Sequence, residues 1–230
     1  MIEIKNLYKN YDDITVVDNL SLKIEKGEVL GFLGPNGAGK STTMKMVTGF
    51  IEPTSGEVNV KNLTIKDDPM EVKKLIGYLP EGAPHYGEMI VKDFLLFIAK
   101  IRGIQKNEMN VAISSAIDNL SLHDVVNKRI EHLSKGFKRR VGIAQAIIHD
   151  PEILIMDEPT DGLDPNQKYD VRELIKKLSK NKTIVISTHI LEEVEAVCNR
   201  VAIISKGKLL FNDTPKKLSL IHIWRCRRMA

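Results

Sequence analysis

The sequence predicts an α/β fold with a parallel-sheet core, an antiparallel β region near the N-terminus and an inserted α-helical subdomain. Continuous apolar segments such as EILIMD and TIVIST alternate with helical segments, as in a parallel sheet that is covered on both faces. Residues 81–150 interrupt this alternation with apolar residues at helical spacing. We therefore expect one domain, with its core in residues 1–80 and 151–217 and a helical subdomain between them.

The segments before the insertion predict mostly strands. IEIKNLY and TVVDNLSLKI alternate apolar and polar residues, which favours two strands around the turn-rich NYDD. A short apolar strand, VLGFL, leads into a glycine-rich loop and a helix that Gly49 closes. The next predicted elements are a strand pair in GEVNVKNL, a short helix that begins at the proline of DPMEVKKL, and a strand in IGYLP.

The insertion and the final third of the chain complete the pattern. Three helices are predicted in the insertion: VKDFLLFIAKIRG, NEMNVAISSAIDNL and the segment that follows LSKGF. After Pro151 the predicted elements are EILIMD, NQKYDVRELIKKLSK, TIVIST, ILEEVEAVC, RVAIIS and GKLLFND, which alternate strand and helix before two final strands.

Composition narrows the class of protein. The chain has 230 residues, 43% of them hydrophobic and 28% charged, which is typical of a globular protein. Its net charge of +4 gives no broad basic excess, so we expect no nucleic-acid partner. Two cysteines make no disulfide framework, and the charged N-terminus does not resemble a signal peptide. Apolar segments are shorter than a membrane span, so we expect any membrane role to depend on a partner.

The segment from Leu218 to Ala230 differs from the rest of the chain. LSLIHIWRCRRMA holds the single Trp, one of the two Cys and three Arg, with no acidic residue. One interpretation is a basic C-terminal tail. We favour another, in which these residues translate a transposase-type sequencing adapter with an in-frame UGA read as Trp. On that interpretation residues 218–230 are not native, and the natural sequence shown stops near Lys217 and is truncated.

The segment GPNGAGKST has the pattern of a phosphate-binding loop between a strand and a helix. Glycines allow successive N–H groups to face a phosphate, and Lys40 adds a point charge between the β- and γ-phosphates. The Ser41 hydroxyl is a candidate Mg²⁺ ligand. The candidate nucleotide-binding residues of this loop are Gly34, Pro35, Asn36, Gly37, Ala38, Gly39, Lys40, Ser41 and Thr42.

Two acidic residues end the buried strand in EILIMDE. Carboxylates at the carboxyl end of a parallel strand lie at the ligand crevice of an α/β sheet. Asp157 is therefore a candidate to hold Mg²⁺ through water, and Glu158 a candidate catalytic base for an attacking water. His189, which follows the strand in TIVIST, is a candidate to contact a γ-phosphate, although a lone histidine is more often structural.

Three further features are less specific. LSKGF stands at a helix start, where free N–H groups bind anions. Tyr11 can stack on a purine ring or be an ordinary surface aromatic. The basic residues at 138–140 could suggest nucleic acid, but without aromatic neighbours they are interpreted as a solvated helix face.

Together, these motifs in this order resemble the nucleotide-binding subunit of an ATP-binding cassette (ABC) transporter, over roughly residues 1–213. The resemblance implies a P-loop NTPase core of the RecA-like type. The resemblance implies that 34–42 is the Walker A loop, Asp157 the Walker B aspartate, Glu158 the catalytic base and His189 the switch histidine. It implies that residues 161–164, including Asp164, form the loop between paired subunits and that Tyr11 stacks on adenine. It also implies that Ser134 and Gly136 contact the γ-phosphate of ATP on a second subunit. Each ATP site would then be composite, and one chain alone a poor ATPase.

The sequence departs from the family pattern at two places. The usual LSGGQ is LSKGF here, so Lys135 and Phe137 replace a Gly and a Gln, while Ser134 and Gly136 remain. The usual Gln after the strand in IGYLP is Glu81. A carboxylate can still approach Mg²⁺, but it cannot donate a hydrogen bond as an amide does.

The resemblance implies an ATPase, with ATP and Mg²⁺ bound, that drives export through a separate membrane permease, in the manner of ABC-2 exporters. Its expected partners are a second ABC ATPase subunit, identical or related, and that permease. The expected location is the cytoplasmic face of the membrane. The alternatives are a soluble ATPase that remodels ribosomes or DNA, an importer subunit, and a nucleotide-binding regulator without turnover.

Overall fold

The computed structural model describes residues 1–82 and 86–218, which form two β-sheets with helices around them. The strands are β1 (Ile2–Tyr11), β2 (Ile14–Ile24), β3 (Val29–Leu33), β4 (Ser55–Val60), β5 (Leu63–Thr64), β6 (Ile76–Leu79), β7 (Ile153–Asp157), β8 (Thr183–Thr188), β9 (Arg200–Ser205) and β10 (Lys208–Asp213). The α-helices are α1 (Lys40–Val47), α2 (Pro69–Leu75), α3 (Val91–Ile101), α4 (Lys106–Leu120), α5 (Lys135–Ile147), α6 (Pro165–Ser179) and α7 (Leu191–Val197).

The larger sheet has the strand order β10-β9-β3-β8-β7-β6. Strands β9, β3, β8, β7 and β6 run parallel, whereas β10 pairs antiparallel with β9. The reason for the antiparallel edge is local. Only Lys206 and Gly207 separate the two strands, both with positive φ (49° and 76°), which is the backbone of a tight hairpin and too short for a parallel crossover.

Burial on both faces explains the continuous apolar sequence of β7. Ile153 and Ile155 pack in the core that the larger sheet shares with α1 and the smaller sheet. Leu154 and Met156 point to the opposite face and pack in a second core with the helices α3 to α6. All four side chains are fully buried. A strand with alternate side chains in two different cores cannot carry polar residues at either set of positions.

The smaller sheet is antiparallel and has the order β2-β1-β4-β5. Its inward residues include Ile2, Ile4 and Leu22, which join Leu30 and Phe32 of β3 in one core. Alternate residues face out, which produces the apolar–polar alternation of the N-terminal sequence. This sheet rests against the strand that leads into the glycine-rich loop and supports it from one side.

The predicted fold class is confirmed: a parallel core, an antiparallel β region and inserted helices. Helices α3, α4 and α5 lie between β6 and β7 in the chain, together with two short 3₁₀ turns. The subdomain boundaries at residues 81 and 150 stay a prediction. Among the helices in the described ranges, none combines the length and hydrophobicity that crossing a membrane requires.

The C-terminal interpretation also stays a prediction, because residues 219–230 lie outside the described residues. Leu218 is described; it is buried and packs in a small cluster with Val194 and Val201.

A partly buried histidine at the junction of the core and the inserted helices predicts an effect of pH on stability. Burial, with help from the positive charge of Arg102, lowers the pKa of His149 to about 4, and its Nε2 lies 3.2 Å from the Ile76 carbonyl oxygen. An unfolded chain titrates this group near 6.5, so below that pH the unfolded state binds a proton that the folded state does not. We therefore expect the contribution of His149 to lower the free energy of unfolding by about 2 kcal/mol as the pH falls from 7.5 to 5. The slope is about 1.4 kcal/mol per pH unit below pH 6.5.

Urea unfolding of wild type and His149→Gln at both pH values measures this cost. The difference in pH dependence between the two proteins isolates the histidine, and equal pH dependence would contradict the prediction.

Candidate active site

Four adjacent parallel strands place the candidate residues at one edge of the larger sheet. In sheet order the four strands are β3, β8, β7 and β6. Strand β3 leads into the glycine-rich loop, and β8 ends just before His189. Strand β7 ends at Asp157, and β6 ends two residues before Glu81. The carboxyl ends of parallel strands form the ligand crevice of this kind of sheet. Segments that lie far apart in the sequence therefore meet here.

The glycine-rich loop is built to receive an anion. Gly39, the residue before α1, has φ 99°, and no side chain caps the first turn of the helix. A side chain at Gly39 would also collide with the Val16 carbonyl oxygen, which would lie 2.6 Å from its Cβ. Uncapped N–H groups at a helix start favour a phosphate, through both hydrogen bonding and the helix dipole.

The rest of the loop divides into a buried stem and an exposed tip. Ala38 and Lys40 are buried, and Ser41 and Thr42 are partly buried in the first turn of α1. The exposed tip consists of Pro35, Asn36 and Gly37. The Lys40 ammonium donates to the carbonyl oxygens of Gly34 (2.7 Å) and Pro35 (3.2 Å), so it lies inside the curve of the loop.

The carboxylate of Asp157 lies fully buried at the end of β7. Its Oδ1 accepts a short hydrogen bond from the Ser187 hydroxyl, and its Oδ2 has no partner among the described residues. A free carboxylate oxygen in a buried, polar position fits a hydrated Mg²⁺. The described residues contain no cluster of three or more His, Cys, Asp or Glu side chains that could hold a metal ion by themselves. Phosphate oxygens and water would complete the coordination of an ion at this edge.

Glu158 lies between a lysine and a histidine. Its backbone is left-handed (φ 47°), and its N–H donates to both the carbonyl and the hydroxyl oxygen of Ser187 at 3.1 Å. Its buried carboxylate lies 3.5 Å from Lys40 Nζ and 3.1 Å from His189 Nδ1. The structure thus brings together Lys40, Glu158 and His189, the three residues that the resemblance implies for catalysis, and the half-exposed His189 leaves one side open.

The LSKGF segment begins α5 as expected. Ser134 caps the helix by accepting from the Phe137 N–H at 3.4 Å, and Lys135 is exposed. Position 136 requires glycine for a steric reason that the sequence did not reveal. A Cβ atom added there would lie 2.4–2.5 Å from the side-chain amide atoms of Gln167. Because Gln167 stands in the first turn of α6, the start of α5 packs directly on the start of α6.

Asp164 and Tyr11 have described partners of their own. The Asp164 carboxylate caps α6 by accepting from the Gln167 N–H at 2.9 Å. Tyr11 is 46% exposed, with the Lys9 ammonium 4.9 Å from its ring centre. A role in nucleotide binding stays a prediction for both residues.

The interpretation of residues 138–140 as a solvated helix face is wrong for Arg139. This side chain is only 8% exposed, and its guanidinium donates to the backbone carbonyls that surround the end of β7. Arg140, in contrast, forms a surface ion pair with Asp170. A run of three basic residues gives no sequence indication that its central member points inward.

Two other buried contacts escaped sequence reasoning. Ser187 stands opposite Asp157 in the parallel register of β8 and β7, which is why its hydroxyl can bond to that carboxylate. Glu193 is buried beneath the His189 segment and accepts hydrogen bonds from the hydroxyls of Thr160 and Thr188. Strand pairing could have suggested the first contact, but no sequence pattern indicates the second.

The Glu81 substitution gives a specific prediction. Glu81 is exposed, in the loop after β6 rather than in the phosphate loop, so Glu81→Gln should change the affinity for Mg–ATP by less than about threefold. Equilibrium binding of a fluorescent ATP analogue to the wild type and this variant tests it, with Glu57→Gln, a change of an exposed acid on β4, as the matched control. Abolished nucleotide binding in Glu81→Gln alone would show that the loop after β6 has been assigned the wrong role.

A phosphate loop beside a buried Asp–Glu pair, at the edge of a parallel sheet with inserted helices, defines a P-loop nucleoside triphosphatase. The chain belongs to the ABC transporter family, whose sequence model, described as ABC transporter, matches residues 17–161. It is an ABC-type ATPase, as predicted.

Individual relatives agree over nearly the whole chain. The bacitracin transport ATP-binding protein BcrA of Bacillus licheniformis is 41% identical over 212 residues, which cover 91% of this chain and 68% of BcrA. The ABC transporter ATP-binding protein NatA of Bacillus subtilis is 37% identical over 224 residues, 95% of this chain and 91% of NatA. A solved dimeric ATP-binding cassette in a post-hydrolysis state with ADP and Pi has a TM-score of 0.85 and 26% identity, over 94% of this chain and 99% of that one.

Proposed function

We propose that this ATPase is the motor of an exporter and that the residues gathered at the sheet edge bind and hydrolyse ATP. The loop from Gly34 to Thr42 holds the phosphates, and Lys40 moves its charge toward the β- and γ-phosphate oxygens. Ser41 and Asp157 would hold Mg²⁺, with the Glu81 carboxylate approaching it from the loop after β6, and the ion would supply positive charge to the phosphate oxygens. Tyr11 stacks on the adenine.

Glu158 and His189 perform the proton chemistry in this proposal. The Glu158 carboxylate accepts the proton of the water that attacks the γ-phosphate. His189, 3.1 Å from that carboxylate, keeps it in position and donates to the γ-phosphate. The observation that carries the proposal is this placement of Glu158, buried between Lys40 and His189 at the mouth of the phosphate loop.

The proposal includes a second ATPase subunit, either another copy or a related chain. At the start of α5, Ser134 is exposed and Gly136 is buried, and the backbone here would contact the γ-phosphate of ATP on the partner, with Asp164 in the loop between subunits. The dimeric form of the solved relative supports this arrangement. Closure on ATP and opening after hydrolysis would then form one cycle.

A membrane permease is the proposed second partner. A groove of about 1360 Å³ lies between the core and the inserted helices, and exposed apolar side chains such as Phe50, Met70 and Ile101 line it. Exposed apolar surface of this kind fits a protein partner. A relative named as a Nod factor export ATP-binding protein, 35% identical over 94% of this chain, supports export as the direction. The subunit would then lie at the cytoplasmic face of the membrane.

The specific ATPase activity of the full chain, measured against chain concentration, tests the proposal. A composite site predicts that activity per chain rises with concentration and then saturates. Activity per chain that is constant over a thousandfold range of concentration would show that one chain hydrolyses ATP alone. Absent hydrolysis by the chain and by the complex purified through it would refute the motor function.

A further inference from the structure

The Arg139 side chain of α5 joins two loops of the candidate site from inside the protein. Its Nε donates to the Pro159 carbonyl oxygen at 3.0 Å, and one terminal nitrogen donates to the Pro80 carbonyl at 3.3 Å. The other terminal nitrogen donates to the carbonyl of Asp157 at 2.6 Å and to that of Glu158. The donors of one buried guanidinium thus meet the backbone after β6 and after β7.

The carbonyls of Asp157, Glu158 and Pro159 converge on the guanidinium because the chain bends at Glu158. Its left-handed backbone (φ 47°) ends the strand and turns these consecutive oxygens inward. A buried carbonyl oxygen that lacks a donor destabilises the folded chain, because it has lost its hydrogen bond to water. The planar fork of arginine, with donors in several directions, is suited to satisfy them together. The bend fixes where the Glu158 carboxylate points, so Arg139 contributes to the position of the proposed base.

Arg139 also brings a positive charge among acidic side chains of the candidate site. Burial lowers the pKa of the Arg139 guanidinium, whereas Asp157, Asp161, Glu158 and Glu81 act in the opposite direction. The arginine is thus a buried cation among four acids of the candidate site. Glu81 adds one of these negative charges where the family usually carries a neutral glutamine, and Arg139 supplies positive charge beside the Pro80 carbonyl that precedes it.

We infer that Arg139 is a positioning residue for ATP hydrolysis: it holds the backbone of Glu158 in its bent form and offsets the negative charge of Glu81. It also sits on the helix whose first turn carries Ser134 and Gly136. This side chain ties α5 to the end of β7. The start of α5, which would contact ATP on the partner, is therefore fixed relative to Glu158, which would act on the ATP that this chain binds. This inference rests on the proposed function, since it assigns Glu158 as the base.

The kinetic test compares Arg139→Met with Lys138→Met in the full chain. Both changes remove one positive charge from neighbouring positions of α5, but Lys138 is partly exposed with no described contact to the site. We expect Arg139→Met to lower kcat by about 100-fold with KM for Mg–ATP within about threefold, because misplacement of a catalytic group affects the chemical step. A kcat of Arg139→Met within twofold of the kcat of Lys138→Met would overturn the inference. A change in KM as large as the change in kcat would also overturn it.

The Glu81→Gln and Arg139→Met double variant tests the charge argument. Removing the carboxylate relieves the charge that Arg139 offsets, so kcat of the double variant should be about tenfold higher than that of Arg139→Met alone. If the fold-change in kcat of the double variant equals the product of the fold-changes of the two single variants, Arg139 does not offset the charge of Glu81. A purely structural role for Arg139 gives no such recovery.

Hydrogen exchange separates this inference from the proposed function. In the full chain without nucleotide, amides of residues 157–163 should exchange at least about tenfold faster in Arg139→Met than in Lys138→Met, because the converged carbonyls lose their donor. Equal exchange in the two variants would overturn the positioning role whether or not the protein hydrolyses ATP. If the wild type shows no hydrolysis while exchange increases as expected, the proposed function fails and the structural role of Arg139 stands.

Discussion

Replacing Glu158 with glutamine is expected to lower kcat for ATP hydrolysis by about 10³-fold while ATP stays bound, since a general base contributes roughly 10²–10⁴ in rate. The amide has almost the same size and can still contact His189 at the 3.1 Å separation seen for the carboxylate. It cannot accept the proton of the attacking water. Positioning is therefore retained and the chemical step is lost.

Single-turnover hydrolysis and equilibrium ATP binding measure the two effects separately. Glu192→Gln is the matched control, because Glu192 is an exposed acid in the first turn of α7 and makes no described contact with the site. The control should have wild-type kinetics. A Glu158→Gln protein that retains hydrolysis within tenfold of the wild type would show that another group takes the proton.

Replacing Lys40 with methionine is expected to weaken Mg–ATP binding by about 100-fold and to abolish measurable hydrolysis. Lys40 is 5% exposed, and its ammonium lies 3.5 Å from the Glu158 carboxylate. Removing one member of such a buried charge pair costs about 2–5 kcal/mol of interaction free energy. Methionine fills the space but removes the charge directed at the phosphates. The same change leaves Glu158 buried without its cation, so we also expect lower thermal stability.

Isothermal titration with Mg–ATP and thermal unfolding measure these effects. Lys45→Met on the exposed side of α1 removes the same charge from the same helix and should alter neither quantity appreciably. Equal affinities of Lys40→Met and Lys45→Met for Mg–ATP would exclude the proposed loop as the phosphate site.

The parts of the site that sequence reasoning located follow from local rules. A phosphate loop is a local structure, since its glycines, lysine and helix start are adjacent in the chain. Asp157 and Glu158 were located because a continuous apolar strand must end where the sheet ends, and parallel strands end at one edge. The same rule placed His189 after β8.

The parts that were missed depend on which strands and helices become neighbours. Arg139 points inward because α5 lies across the ends of β6 and β7, and a helical pattern cannot show this for the middle of KRR. Gly136 has its close neighbour in Gln167, 31 positions further on. The direction of β10 was also missed, although its two-residue connection at Lys206 and Gly207 is a local pattern that predicts an antiparallel hairpin.

In the proposed dimer, the Ser134–Gly136 segment completes the ATP site of a second subunit. The mass of the Glu158→Gln chain, measured by size exclusion with light scattering with and without Mg–ATP, tests this contact. We expect the mass of one chain without nucleotide and of two chains with it. Adding Ser134→Glu, which places a negative charge at the helix start, should return the mass to that of one chain. One chain mass with ATP bound at saturation would contradict self-pairing, and a dimer unaffected by Ser134→Glu would contradict a contact through this segment.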